Sequence, residues 1–320
     1  MNPTGIRRFF PALPPEVELE AANARPEDYD DRDGYDSRFL GNHPDFELPL
    51  PLLANQDDLV RVNRAKPGRP FELCYRHFSV AMSQSRRLCC ITGVNIAGDQ
   101  PFFHPKRPGW KTDPRVPTSV QVDGKSFYVP TSFDRGHMVR RLDPVWGDEG
   151  NALQANADTH HYTNSCPQVH SFNDVTWGDL EDWILSQEQT RESRGSVFTG
   201  PIFQDSDPTH RGVKVPEQFY KVVVVVDDAL NQLSATAFRQ SQADVMPTPE
   251  RITPEAPFDP GRFVVDQITL GDLEHMTGLD FGRLKPFDVL SAHPIPESAG
   301  LAGPIRIPLV SVRDAVLWAP

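Results

Sequence analysis

Residues 132–138 read SFDRGHM. An acid, a guanidinium, a glycine and an imidazole stand side by side, after an aromatic and before a Met-Val pair. Charged tetrads are common on surfaces, but apolar flanks on both sides make plain solvation a poor explanation. A second stretch belongs with it: TNSCPQVHSFNDVTWGDLE, residues 163–181. Between the two, residues 147–158 are rich in Gly, Asp and Asn and read as a loop that brings their ends close.

These residue types suit phosphodiester hydrolysis. Water must be deprotonated near neutral pH, a task matched to histidine. The charge that grows on phosphorus needs cations, an arginine and a metal ion. A hard ion such as Mg²⁺ keeps most of its waters and asks for one or two oxygen ligands. His137 is the candidate base and Arg135 the candidate phosphate clamp, with Gly136 turning the backbone between them. Asn173 can offer a side-chain oxygen to the metal. Glu181 follows about two helical turns later and can hold metal-bound water. Each has a plainer alternative. His137 can be a hydrogen-bonded structural histidine, and Asp134 with Arg135 an intrachain ion pair. Asn173 can be a helix cap and Glu181 a solvated helix residue.

The order DRGH, then NSCPQ, then F-N-x-x-x-W-x-x-L-E resembles the DNA/RNA non-specific endonucleases of the ββα-metal superfamily, the Serratia-nuclease and mitochondrial endonuclease G type. HFSVAM, TGPIF, VPEQFYKV and ATAF (77–82, 199–203, 215–222 and 235–238) extend the likeness over residues 46–318. The resemblance implies a ββα-metal fold with His137 as general base at the end of a core strand. It implies Asn173 as the Mg²⁺ ligand opening the crossing helix, with Mn²⁺ as a substitute. Glu181 would order metal waters, Arg135 would act near the phosphate, and Asn164 matches the asparagine of N-x-x-P-Q. Asp134 would be structural. DNA and RNA are the implied substrates, cut to 5′-phosphate ends. A homodimer or higher self-association, and an inhibitor or activating partner, are further expectations, in a defence, toxin or recycling setting. The competing reading is a catalytically silent nucleic-acid-binding or scaffold protein of the same fold.

Outward from these segments, FELCYRHFSVAM (71–82) and RLCCITGVNIAG (87–98) read as a hairpin, and KSFYVP (125–130) as a short strand. GSVFTGPIF (195–203) and QFYKVVVVVD (218–227) are near-continuous apolar runs, expected at the centre of a sheet. SATAFRQS (234–241) pairs with the latter. Trp177, Leu180 and Ile184 make an apolar stripe on a helix over 173–189. Residues 262–279 read as a strand and a short helix ended by Gly278. Strands and helices mix without βαβ alternation, so the expected class is α+β, a mainly antiparallel sheet flanked by helices. Residues 1–45 are acidic and Pro-containing and read as an extended arm; it can serve as a solubility tail or lie over the site as a nucleic-acid mimic. The domain is expected over 46–320.

The 320-residue chain is 38% hydrophobic, with 32 prolines and a formal charge of −12. That balance argues against a DNA-coating protein, not against an enzyme with a few local cations. Cys74, Cys89, Cys90 and Cys166 lack metal or redox spacing and read as reduced, buried side chains. No secretory signal or membrane-length apolar run is visible, so a cytoplasmic protein without membrane contact is expected, unless a dedicated exporter delivers it. His160, His161, Cys166 and His170 invite a zinc reading, but no second regular pair follows; they read as loop or substrate-side polar groups. Arg86 with Arg87, and Lys106, Arg107 and Lys111, are basic clusters that can meet phosphate or simply solvent.

Overall fold

The structure, a computed structural model, describes residues 24–129, 131–191, 193–246, 265–292 and 306–309. In chain order the first strands are β1 (Leu52–Leu53), β2 (Leu73–Tyr75), β3 (Phe78–Met82), β4 (Cys89–Ala97), β5 (Phe133–His137), β6 (Ser165–Val169) and β7 (Arg194–Ile202). They are followed by β8 (Thr209–His210), β9 (Val213–Lys214), β10 (Gln218–Asp227), β11 (Gln232–Ser241), β12 (Val265–Ile268), β13 (Leu279–Asp280) and β14 (Arg306–Leu309). The α-helices are α1 (Glu149–Thr159), α2 (Gly178–Arg191), α3 (Leu270–Thr277) and α4 (Val289–Ala292).

Eight strands form one antiparallel sheet in the order β14-β12-β11-β10-β7-β4-β3-β2. The fold is therefore α+β, as the mixed pattern predicts. Both faces of the sheet are covered, which is why β10 reads as a near-continuous apolar run broken by Lys221. Its side chains alternate: Phe219 and Val223 enter one core with Tyr75, Phe127, Phe172 and Trp177, while Tyr220, Val222 and Val224 enter another with Tyr35, Phe198 and Leu273. The helix α3 ends as expected, with Gly278 left-handed at φ +70°.

β5 and β6 do not join this sheet. They form a separate two-stranded antiparallel ribbon, with Phe133 opposite Val169 and His137 opposite Ser165. So His137 ends a ribbon strand, not a strand of the main sheet. A π-helical turn over Phe172–Trp177 then leads into α2. Ribbon and helix together are the ββα unit. It sits on the first face of the sheet, held by Phe172, Trp177, Leu180, Ile184 and Leu185, all buried.

Three segments differ from expectation. Residues 149–159 are helical rather than looped, because Asp148 accepts from Asn151 N (2.9 Å) and caps the start. Residues 124–128 form a π-helical turn instead of a strand, because the Asp123 carboxylate accepts from Ser126 N (2.7 Å) and turns the chain. The acidic run packs over residues 24–45, where solvated extension was expected. Its charges meet arginines from elsewhere: Asp30 with Arg64, and Asp31 and Asp33 with Arg76. Arg32 Nε donates to the buried Asp158 (2.8 Å), and Tyr29 and Tyr35 are buried. Gly34 is left-handed (φ +81°) and lies so close to the hairpin that a Cβ would meet Ser79 Oγ at 2.6 Å. Residues 1–23 lie outside the described residues.

Candidate active site

The ββα unit opens onto a cleft of about 490 Å³. Asp134, Arg135 and His137 line it from β5, Asn173 and Gly178 from the helical turn and the start of α2, and Glu181 and Asp182 from α2. Arg107, Trp110, Arg140, Arg141 and His160 complete the wall. Two sequence segments thus converge as their residue types suggested: His137, Arg135, Asn173 and Glu181 face one space.

His137 is fixed from both sides. Before it, Gly136 lies against Gln168 so closely that a Cβ would sit 1.9 Å from Gln168 Oε1. After it, Met138 N donates to Asn164 O (3.0 Å) and Val139 N to Asn164 Oδ1 (2.9 Å). Asn164 Nδ2 donates in turn to Val139 O and Thr159 O, both at 3.0 Å. Asn164 is fully buried and is not among the cleft-lining residues. The structure places it behind the ribbon, where its carboxamide locks the strand that carries His137.

The imidazole of His137 packs 4.7 Å from the Trp110 ring and 5.0 Å from the His160 ring. Its Nε2 is shielded and has no hydrogen-bond partner among the described residues. Burial first, then His160 and the guanidiniums of Arg107, Arg141 and Arg140, hold its pKa well below the usual 6.5. The ring is neutral at physiological pH, as a base must be. His160 Nδ1–H donates to the Asn156 carbonyl (3.0 Å); burial brings its pKa down to about 4.

Asp134 Oδ2 accepts from His170 Nδ1 (2.8 Å) and from Asn173 Nδ2 (3.4 Å). This turns the Asn173 amide nitrogen toward Asp134 and Oδ1, the atom with metal-ligand chemistry, the other way. Glu181 is buried against two cations: Lys221 Nζ donates to Oε1 at 3.3 Å, and Arg140 Nε lies 3.8 Å from Oε2. Burial pushes the carboxyl up to about 7, while Lys221 and Arg140 pull it down. Lys221 rises from β10, also donates to Thr199 Oγ1 (3.0 Å), and lies 4.9 Å from the centre of the Trp177 ring. Arg135 packs its guanidinium 5.5 Å from the Tyr128 ring.

This donor set fits a hard divalent cation. No cluster of three His, Cys, Asp or Glu side chains suited to a metal occurs among the described residues. One carboxamide oxygen and one carboxylate on the same cleft are a sparse set of the kind that a hydrated hard cation accepts. The histidine and cysteine group does not converge: His161 bonds Tyr29 OH (2.7 Å) and the Asp158 carbonyl (2.7 Å), and Cys166 faces Cys89 at 3.8 Å. All four cysteines are buried free thiols.

Arg86 and Arg87, open in the sequence to phosphate or to solvent, do not line the cleft. Arg86 pairs with the buried Asp207 (3.0 Å), and Arg87 donates to the Gln121 carbonyl (3.1 Å). Of the second basic cluster, only Arg107 lines the cleft. Lys221, Arg140 and Arg141, at or beneath the cleft, were not anticipated, whereas His160 and His170, read as loop or substrate-side groups, both line it. The lysine in a strand of buried valines was the one available signal.

The sequence profile described as DNA/RNA non-specific endonuclease matches residues 55–287. An uncharacterized protein of Sinorhizobium fredii, y4fB, is 38% identical over 282 residues, covering 75% of this chain and 40% of that protein. A protein of Nostoc sp. named Nuclease is 28% identical over 180 residues, covering 55% and 60%. The chain spans less than two thirds of the length of either relative. Among solved structures, a chain of the EndoG/EndoGI complex superposes with a TM-score of 0.51 at 19% identity, covering 68% of this chain and 89% of that one, which establishes the shared ββα-metal fold. No helix among the described residues is long and apolar enough to cross a membrane. With a family profile matched over most of its length, this chain belongs to the DNA/RNA non-specific endonuclease family.

Proposed function

We propose that the protein is a Mg²⁺-dependent endonuclease that hydrolyses phosphodiester bonds of both DNA and RNA to 5′-phosphate ends. The observation that carries this reading is the convergence of His137, Arg135, Asn173 and Glu181 on one cleft from two segments of the chain. His137, neutral and desolvated, takes the proton of the attacking water. Arg135 neutralises phosphate charge across the cleft. Mg²⁺, or Mn²⁺ in its place, held through Asn173 Oδ1 and by waters on Glu181, would supply Lewis-acid stabilisation of charge on the phosphate and the leaving oxygen. Asp134 orients Asn173, Lys221 keeps Glu181 aimed and charged, and Asn164 holds the strand behind His137; these three are positioning residues.

Plasmid DNA and a structured RNA, each incubated with the protein in Mg²⁺ and in EDTA, test the reading. Both polymers should be cut in Mg²⁺, both spared in EDTA, and the new ends should carry 5′-phosphates. A preparation that binds but never cuts either polymer, at any divalent concentration, would support the silent scaffold instead.

A further inference from the structure

The arginine that follows the site strand is held in an unusual way. Asn164 locks Val139, so residues 140 and 141 reach the cleft in fixed register three and four residues after His137. Arg140 is engaged by carboxylates: Asp182, Glu181 and Asp143. Arg141 is not. Its Nη1 donates to the Pro105 carbonyl (3.0 Å) and to Asn156 Oδ1 (3.3 Å), both neutral acceptors. Asn156 Nδ2 also donates to the Lys106 carbonyl (2.9 Å). One carboxamide on α1 therefore brackets Arg141 and the loop carrying Arg107. Arg107 itself lines the cleft and forms no ion pair among the described residues.

A part-buried guanidinium is normally matched by a carboxylate. This chain has 44 Asp and Glu against 32 Lys and Arg, yet none of its described acids meets Arg141. Burial, and then the neighbouring Arg107 and Arg140, make the charge more costly, pulling its pKa down to about 10. Arg86 shows the ordinary outcome, with Asp207 closed onto it. The difference is that Arg141 faces open space where an anion can enter. We propose that Arg141, bracketed by Asn156 and beside Arg107, is a phosphate-binding residue that takes a backbone phosphate of the nucleic-acid substrate. The proposal rests on the nuclease reading and adds a substrate contact to it.

Duplex DNA binding by the full chain, measured by fluorescence anisotropy in EDTA between 50 and 200 mM KCl, tests it. Arg141→Met should weaken binding several-fold and lower the slope of log K against log salt by about one, the signature of one lost phosphate contact. Arg141→Lys should keep the wild-type slope. A role confined to packing would change the melting temperature and leave the slope alone. If Arg141→Met does not fold, Arg141→Gln removes the charge and keeps a donor to Pro105 O and Asn156 Oδ1. Wild-type slope and affinity in a folded, uncharged variant would overturn the proposal. So would stabilisation by inorganic phosphate that depends on Arg141 while DNA binding does not, which would mark a site for free phosphate. If the wild type neither binds nor cuts nucleic acid, the nuclease reading itself fails; if it does both and the variants match it, only this subsite fails.

Discussion

The two faces of the central sheet bury comparable aromatic and aliphatic side chains, but they treat charge differently. On the α3 and α4 face, Asp288 is buried and fully engaged, accepting from Leu270 N (2.9 Å), Leu290 N and Ser291 Oγ (2.6 Å). It caps helices and does not line the ββα cleft. On the ββα face, His137, Glu181, Asp143, His160 and Lys221 are crowded at or beneath one opening, and several have strongly displaced proton affinities. A fold assembled for stability alone would not keep such a group out of water, because each desolvated charge is costly. The contrast teaches that one face spends its buried charge on capping helices, while the other gathers displaced charge at the cleft where the proposed chemistry would lie.

The sharpest way to break that contrast is to remove the base. His137→Ala should lower cleavage of DNA and RNA by about 10² to 10⁴-fold, the range for loss of a general base, with an unchanged melting temperature. Next in size is the opposite experiment. Leu273 is fully buried in α3 on the other face. Leu273→Ala should cost about 2–5 kcal/mol of stability and leave the rate per folded molecule unaltered at low temperature. If Leu273→Ala lowered turnover of fully folded protein, the faces would not be functionally separate.

A smaller effect sharpens the role of the buried lysine. In Lys221→Met, Glu181 loses the partner at 3.3 Å that opposes its burial. Its carboxyl, already up to about 7, rises further. A raised carboxyl is protonated at neutral pH and ionised only as pH increases. The variant should therefore be about tenfold slower near pH 7 and recover toward the wild type in alkaline buffer. A uniform loss at every pH would reduce Lys221 to packing.

A separate effect is on acid stability. His160, down to about 4, and His161, down to about 3, are buried on the ββα face. Below the unfolded histidine value of about 6.5, the unfolded chain takes up protons that the folded chain refuses. Their stability contribution is complete above that value and declines as pH falls toward the folded values, by about 1.4 kcal/mol per pH unit for each ring. His161→Gln should make the dependence of melting temperature on pH shallower between pH 6 and 4. An identical dependence in both proteins would place the titration elsewhere.

Much of the site was legible because its residue types sit at fixed spacing in two segments. Asn173 and Glu181 are placed by helical geometry, and the apolar stripe of Trp177, Leu180 and Ile184 announces the helix that carries them. Other parts were hidden for physical reasons. Helix α1 buries only small or polar side chains such as Ala152 and Ala155, so it has no apolar stripe to detect. The acidic stretch after residue 24 packs because arginines distant in sequence neutralise it, and composition does not reveal which charges will meet. Arg86 and Arg141 look alike in sequence, each within an Arg-Arg pair; only the placement of Asp207 and Asn156 separates a closed ion pair from an open guanidinium.

In the proposed function, His137 and Asn173 serve one phosphate through one cleft. A Mg²⁺ titration of initial cleavage rate for wild type, His137→Ala and Asn173→Ala tests it most directly. Asn173→Ala should need more Mg²⁺ and reach a lower plateau, whereas His137→Ala should lose rate at every Mg²⁺ concentration. An Asn173→Ala curve that superimposes on the wild type, or full activity in His137→Ala, would contradict it.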